Sequence, residues 1–374
     1  MFGQCTFEID FMIAKTYINI SLLFLIFTCI GHIHAQKADS FPEQLLLKVE
    51  VRPRAEYTYN YILPPNDSVV PYFYISQRNR ISLQYSRKKW LLKSELQEIH
   101  LWDNANRASK IGSINFYQLF LERKFRPFSF RLGRQGVLLD NGRIFSDAPW
   151  AQQSRAHEGV RLMKYTAHIS NDFFFLFTRK YGNLFESAYS PVGSHRYKYL
   201  IVNYFSYSPN QAFSFNNINA VDFFKNANSG KTYARITTGG RVELKNKKWY
   251  STLNAFLQFG RTPQGKKLFA YYLQPEIRLS LPKSTWRLGA EILSGSRQGL
   301  PAGSSGDFDV LYGVAWKFMG NMNVFTTFPK DVAGKGLVNP YLFVLVPVNK
   351  KLSLRSDFHV FPPNIIWQIL PGSL

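Results

Sequence analysis

Cysteine is almost missing from this chain. Only Cys5 and Cys29 occur in 374 residues, and both precede the signal-cleavage site argued below. A mature chain would hold none, which removes disulfides, thiol catalysis and cysteine metal sites. Acid is scarce as well: 24 Asp and Glu stand against 46 Lys and Arg, a formal net charge of +22. Past Gln36 there is no helical periodicity of any length and no apolar run long enough for a membrane helix. His100, His157, His168, His195 and His359 are too scattered for a metal set. No Gly-x-Ser-x-Gly stands in the chain to mark a serine nucleophile. Gly260-Arg-Thr-Pro-Gln-Gly265-Lys266-Lys267 nearly spells a phosphate loop. It lacks the final Ser or Thr, contains Pro263 and leads into a strand rather than a helix. Glu276 and Glu291 could pair as in a glycosidase, but each sits beside an arginine and reads better as a salt bridge.

What is abundant is aromatic. Phe, Trp and Tyr make up 16% of the chain, with 33 Phe and 21 Tyr, a composition suited to the aromatic girdles of a transmembrane barrel. The N-terminus reads as a secretory signal peptide. Lys15 opens a charged region, Ile18 to Ile30 is mostly apolar, and Ile33-His34-Ala35 precedes Gln36 as a cleavage site. Glu8 and Asp10 suit no signal peptide, so Met12 is taken as the start and residues 1–11 as an extension, within an N-terminal region of 1–35. A single membrane anchor would need a longer span. Cys29 could carry a lipid, but Ile26-Phe27-Thr28 is bulky for a lipoprotein signal.

From residue 36 to 361 the chain alternates apolar and polar residues with the strand period of two. Leu47 to Tyr57 sets Leu47, Val49, Val51, Ala55 and Tyr57 against Lys48, Glu50, Arg52, Arg54 and Glu56. Arg78, Arg80, Ser82, Gln84 and Ser86 oppose Ile81, Leu83 and Tyr85. Similar runs occupy Arg235 to Leu244, Gln274 to Leu281, Trp286 to Ile292 and Leu352 to Val360. Short turn-like links (87–89, 126–127, 246–248, 282–284, 349–351) alternate with longer polar ones (101–113, 138–156, 181–196, 222–231, 294–306). Short turns at one end and long loops at the other is the antiparallel outer-membrane pattern. The expected fold is all-β: an antiparallel transmembrane β-barrel of about 16–18 strands with a water-filled lumen. A soluble β-sandwich also alternates, but it does not call for an arginine on nearly every polar face. Residues 362–374, opening on Pro362-Pro363, show no clean alternation and read as an irregular tail of a barrel truncated or frameshifted at its C-terminus.

Arginine dominates the polar faces: Arg52, Arg54, Arg78, Arg80, Arg161, Arg235, Arg241, Arg278, Arg287 and Arg355. An Arg or Lys on the lipid side at mid-membrane costs roughly 2–4 kcal/mol, so these faces must turn inward. A lumen with excess guanidinium attracts anions, and its low-dielectric wall focuses the field. Guanidinium also offers paired donors matched to carboxylates. Interspersed acids, among them Glu243 and Glu276, can hold the guanidinium planes or neutralise them.

The densest element is Arg131-Leu-Gly-Arg134-Gln135, continuing through Asp140-Asn-Gly-Arg143-Ile-Phe and Trp150-Ala-Gln-Gln-Ser-Arg155-Ala-His157-Glu158-Gly159-Val-Arg161. Its glycines permit tight backbone and Trp150 can anchor a loop. This stretch resembles the signature of the alginate export family of Gram-negative outer-membrane β-barrel porins, particularly their relatives in the Bacteroidetes. Gly133-Arg134-Gln135, Asp140 to Phe145 and Trp150 to Gln153 carry the match. Glu158 stands where relatives commonly have Asp, and Gly136-Val137 replaces a more polar pair. Relatives also continue past the present C-terminus through at least one more strand pair. The resemblance implies that the segment folds into the barrel and supplies arginines to a constriction; the residues alone fit a structural inward plug with internally paired arginines equally well. It also implies a uronate-type oligo- or polysaccharide as solute.

The sequence is therefore read as an outer-membrane porin for passive, anion-selective transport, and not as an enzyme. Its pore-lining candidates are Arg78, Arg80, Arg134, Arg143, Arg155, Arg161, Arg235, Arg241, Arg278 and Arg287. Asp140, Trp150, Glu158, Glu243 and Glu276 are their structural partners. Asp147 is a further candidate partner. The expected partners are outer-membrane lipids and an anionic small molecule or polymer. No cofactor, metal or nucleic acid enters this reading. The rivals are an outer-membrane hydrolase of lipid or saccharide, and a secreted basic β-protein that binds polyanions.

Overall fold

The computed structural model describes residues 7–11, 43–58, 72–102, 113–178, 197–226, 229–296, 300–314, 316–320, 332 and 334–361. Most of them are strand: β1 (Phe7–Phe11), β2 (Gln44–Thr58), β3 (Tyr72–Arg87), β4 (Trp90–Leu101), β5 (Ser113–Phe125), β6 (Phe128–Gln135), β7 (His157–Tyr165), β8 (Ile169–Phe177), β9 (Tyr199–Tyr207), β10 (Phe213–Lys225), β11 (Thr232–Lys245), β12 (Trp249–Arg261), β13 (Lys267–Leu281), β14 (Ser284–Leu293), the two-residue β15 (Ser304–Ser305), β16 (Leu337–Pro347) and β17 (Ser353–His359). A single helical turn, α1 (Trp316–Met319), is the one described α-helix.

Each strand pairs antiparallel with its neighbours in sequence, from β2 through β14, then on to β16 and β17. β15 sits aside, parallel to the start of β13. Successive strands joined by tight turns need no crossover, so the order follows from the spacing of turn residues. The one bulge in the early ladders falls at Glu95/Leu96.

The alternation decides the two faces. Ile81, Leu121, Leu132, Leu162 and Leu288 are exposed, whereas Arg78, Gln97, Glu122 and Asp172, at opposite parity, are buried. In an isolated sheet this would be inside out. In lipid it is required, because the apolar row meets hydrocarbon and the polar row is kept from it. The outer face carries exposed aromatics near both ends: Trp90, Trp249 and Trp286 by the short turns, Phe73, Phe177 and Phe269 by the loops.

The expected strand runs lie inside the observed strands, except that Leu352 to Val360 overruns β17 by one residue at each end; the expected links mostly stay out of the wall. One expected loop does not: residues 222–225 extend β10, and Asp222 is fully buried on the inner face rather than in a link. No ladder joins β17 to β2 among the described residues. The free side of β2 is taken by β1, whose Phe7–Phe11 pairs with Leu47–Val51, inside the stretch read as an extension. The signal and cleavage segment 12–36 and the tail 362–374 lie outside the described residues.

Candidate functional site

The residues between β6 and β7 do not project outward as a loop. Leu139 pairs with Phe145 in a short bridge, Asp140 adopts a positive φ and Gly142 completes the turn, and the chain folds inward. From there it bonds to strands near both ends of the sheet. Asn141 Nδ2 donates to Asn254 Oδ1 on β12 at 3.0 Å. Tyr117 on β5 donates to Asp147 Oδ2 at 3.2 Å, and Gln97 on β4 to the Gln153 carbonyl at 3.1 Å. One segment can reach β2, β5, β12 and β14 together only if the sheet curls around it.

A second inward segment lies against the first. Tyr312 N donates to the Ile144 carbonyl and Ser146 N to the Tyr312 carbonyl, both at 3.0 Å. Gln258 of β12 grips Asp309 through two backbone hydrogen bonds, 2.7 and 2.9 Å, and Asn339 of β16 donates to the Phe318 carbonyl at 2.7 Å. Phe308, Val310, Tyr312 and Phe318 pack with Leu139, Ile144 and Phe145 against inward residues of β8 to β13, including Phe174, Leu200, Ile218 and Tyr272. An apolar core thus fills part of the interior, which the polar-lumen reading did not anticipate. Sequence reasoning also left residues 307–319 unassigned. Their Phe308, Val310, Tyr312, Val314 alternation is that of a strand, which hides their place inside the wall.

Arginines hold the first segment in place. Arg52, only 4% exposed, donates to the carbonyls of Pro149, Trp150 and Ala151 at 3.0, 3.2 and 2.9 Å and to Gln152 Oε1 at 2.8 Å. Arg78 reaches the Ala151 carbonyl at 3.0 Å and Glu50 at 2.5 Å. Arg80 donates to Gln97 Oε1 at 2.8 Å and Ser154 Oγ at 3.2 Å, and lies over the Tyr117 ring at 4.1 Å. Arg143 pairs with Glu291 at 2.6 Å, and Arg155 donates to the carbonyls of Tyr312 and Gly313 at 2.7 and 2.6 Å. Arg241 forks onto Asp140 and also pairs with Glu243. Arg235 forks onto Asp222 and reaches Asp309 at 2.7 Å. Arg52 was read only as one polar-face arginine among many. Nothing in its local sequence marks it as the main clamp on residues 149–152.

Two candidates fall elsewhere. Arg134 shares the parity of Leu132, so it is on the outer face, donating to the Phe116 carbonyl and pairing with the exposed Glu158 directly opposite at 3.0 Å. It is near the loop end of β6 and does not face the interior. The Trp150 ring is 45% exposed, and the residue is tied down through its carbonyl instead of its indole.

The registers reveal a further feature. Arg52 stands directly opposite Arg78, Arg131 opposite Arg161, and Arg278 opposite Arg287. Like charges directly across a ladder are unfavourable, yet the pattern occurs three times. Each pair is offset by its surroundings. Glu122 takes Arg131 at 2.6 Å and Asp172 takes Arg161 at 2.5 Å. Glu276 takes Arg287 at 2.6 Å, while Arg278 stacks over Tyr250 at 4.7 Å. Lys317 in α1 adds a cation to the interior; burial first, then Arg143 and Arg287, push its ammonium below the ordinary lysine range. No cluster of His, Cys, Asp and Glu able to hold a metal occurs among the described residues.

No family model and no curated protein matches the chain. Solved structures do. Pseudomonas aeruginosa OprD matches with a TM-score of 0.51 at 9% identity, over 81% of this chain and 70% of that one. Acinetobacter baumannii OccAB4 gives 0.54 at 9% over 85% and 82%. P. aeruginosa OccK9 (OpdG) gives 0.55 at 10% over 81% and 78%. The fold is that of an outer-membrane β-barrel. At such identities the likeness extends to architecture alone, and the interior must be read from this chain's own residues.

Proposed function

We propose that the protein is a passive outer-membrane channel for anionic, carboxylate-bearing solutes. The observation that carries this reading is the recurrence of arginine opposite arginine on the inner face. A wall built only for stability would set acid against base at those registers. Most of these arginines are tied to acids or carbonyls, but Arg278 over Tyr250 and Arg80 beside Gln97 have no acid partner among the described residues, and a low-dielectric wall strengthens the pull of such guanidinium on anions. Their bidentate geometry fits carboxylate. The resemblance of residues 131–162 to the alginate export family makes a uronate oligomer or polymer the first solute to try, and a passive pore serves secretion and uptake alike. The inward segments between β6 and β7 and between β14 and β16 would then set the width and selectivity of the path.

The test is planar-bilayer conductance with the anion/cation permeability ratio. Arg80→Gln with Arg278→Gln is the informative variant. Among the described residues neither arginine sits in an ion pair, so their removal strands no buried carboxylate there. Anion preference should fall by about twofold or more while insertion is kept. A wild-type protein that prefers cations, or a variant with unchanged selectivity, would overturn the reading.

A further inference from the structure

The short-turn end of the barrel bears a ring of exposed cations. Lys88 and Lys89 form the β3–β4 turn, Arg126 the β5–β6 turn, Lys247 and Lys248 the β11–β12 turn, Lys283 the β13–β14 turn, and Lys350 and Lys351 the β16–β17 turn. All are exposed. None of the turn residues at this end, including 166–168 and 208–212, is acidic. Two turns share one construction: Asn246 Oδ1 accepts from the backbone N–H of Lys248 at 2.9 Å and of Trp249 at 2.8 Å, and Asn349 Oδ1 accepts from Lys351 at 2.8 Å and Leu352 at 2.9 Å. The asparagine replaces an acid as the turn-former and leaves the lysine pair uncompensated.

A second observation lies beside these lysines, on the apolar outer face. The sequence Lys-Lys-Trp occurs twice, at Lys88-Lys89-Trp90 and Lys247-Lys248-Trp249, and both indoles are exposed. Below the second, small Ser251 stands between Leu244 and Ile277 in one cross-strand row. The notch it leaves is a groove of about 350 Å³ walled by Leu244, Trp249 and Ile277, with Lys245 and Asn246 at its mouth. Cations at the mouth, an indole at the interface and an apolar trough running into the bilayer band match one chemistry: a phosphate headgroup on an acyl chain.

On the outer-membrane reading of the barrel, we infer that this groove is a binding site for an anionic phospholipid of the leaflet at the short-turn end. Lys247 and Lys248 of the β11–β12 turn would take the phosphate, and the notch at Ser251 would take the chain. The observations favour a lipid over a soluble polyanion because the groove lies on the lipid-facing side, not at the barrel mouth.

Native mass spectrometry of the detergent-solubilised full chain tests this without reference to conductance. It is titrated with phosphatidylglycerol or with phosphatidylcholine of the same acyl chains. Phosphatidylglycerol should be retained about tenfold more tightly. Lys247→Gln with Lys248→Gln should bring the ratio to about one, and the corresponding arginine variant should keep it. Ser251→Leu fills the notch without changing charge and should lower retention of phosphatidylglycerol. Equal retention of both lipids by the wild type would overturn the inference. So would full retention in Ser251→Leu, or displacement by glycerol phosphate or a polyuronate as effective as that by the lipid. Heat-modifiable gel mobility checks that each variant is folded; if the double lysine variant fails it, the Ser251→Leu and competition results still decide.

Discussion

A guanidinium facing carbonyl oxygens does different work from one facing a carboxylate, and Arg52 shows the difference. Its donors close on three successive carbonyls and the Gln152 amide, so it fixes backbone instead of cancelling charge. Arg52→Gln would leave those carbonyls short of donors. Hydrogen bonds from a charged group are each worth roughly 1.5–3 kcal/mol net, and a loss of about that size is expected in the urea unfolding of the refolded barrel. Arg54→Gln is the control, since among the described residues Arg54 meets only Glu56, in an ion pair about a quarter exposed, and holds no part of the inward segment; its loss should be smaller than that of Arg52→Gln. Equal shifts would deny the clamp any special weight. Gly159 sets a second limit. With φ at +152°, a Cβ there would stand 2.1 Å from the Phe175 carbonyl oxygen, and Gly133 opposes it across the ladder. Gly159→Ala should lower folded yield from refolding, because the β7–β8 backbones would have to part.

At the scale of elements, the strands were legible and the inward segments only partly so. Strict alternation such as Arg78 to Ser86 identifies a wall strand because lipid tolerates one polarity of error far less than the other. The turn pattern identified which end carried the loops. The 136–156 segment was recognisable through its arginines and glycines, but the partners were not. Nothing in the spacing of Arg143 and Glu291, 148 residues apart, announces a contact made only when the sheet curls. The same holds for Arg155 and Tyr312. Arg134 was misplaced because it was counted with its motif instead of by parity from Leu132. Replacing residues 140–154 by a short glycine-serine link tests the role of the segment. Because it occupies the interior, single-channel conductance should rise about twofold or more; an unchanged value would mean that the path runs elsewhere.

For the molecule as a whole, the excess of cations bears on function in two places, the inner wall and the short-turn rim. Each should respond to salt differently. The Debye length shrinks from about 10 Å at 0.1 M to about 3 Å at 1 M. Attraction from the exposed rim lysines should vanish over that range, while selection by the half-buried inner arginines should weaken without disappearing. Permeability ratios at both salt concentrations check this, and a ratio that falls to unity at 1 M would shift selection to the rim. The strand β8 bears on how such a molecule can be assembled. Asp172 is followed by Phe173-Phe174-Phe175-Leu176-Phe177, whose alternate members are exposed outward and fully buried inward. Without its inward segments, that stretch of wall would present phenylalanine to water on one side however well the other met lipid. A curled but empty intermediate is therefore disfavoured at β8 to β13. Filling by the chain between β6 and β7 and curling of the later strands around it thus belong to one cooperative event, not two successive ones.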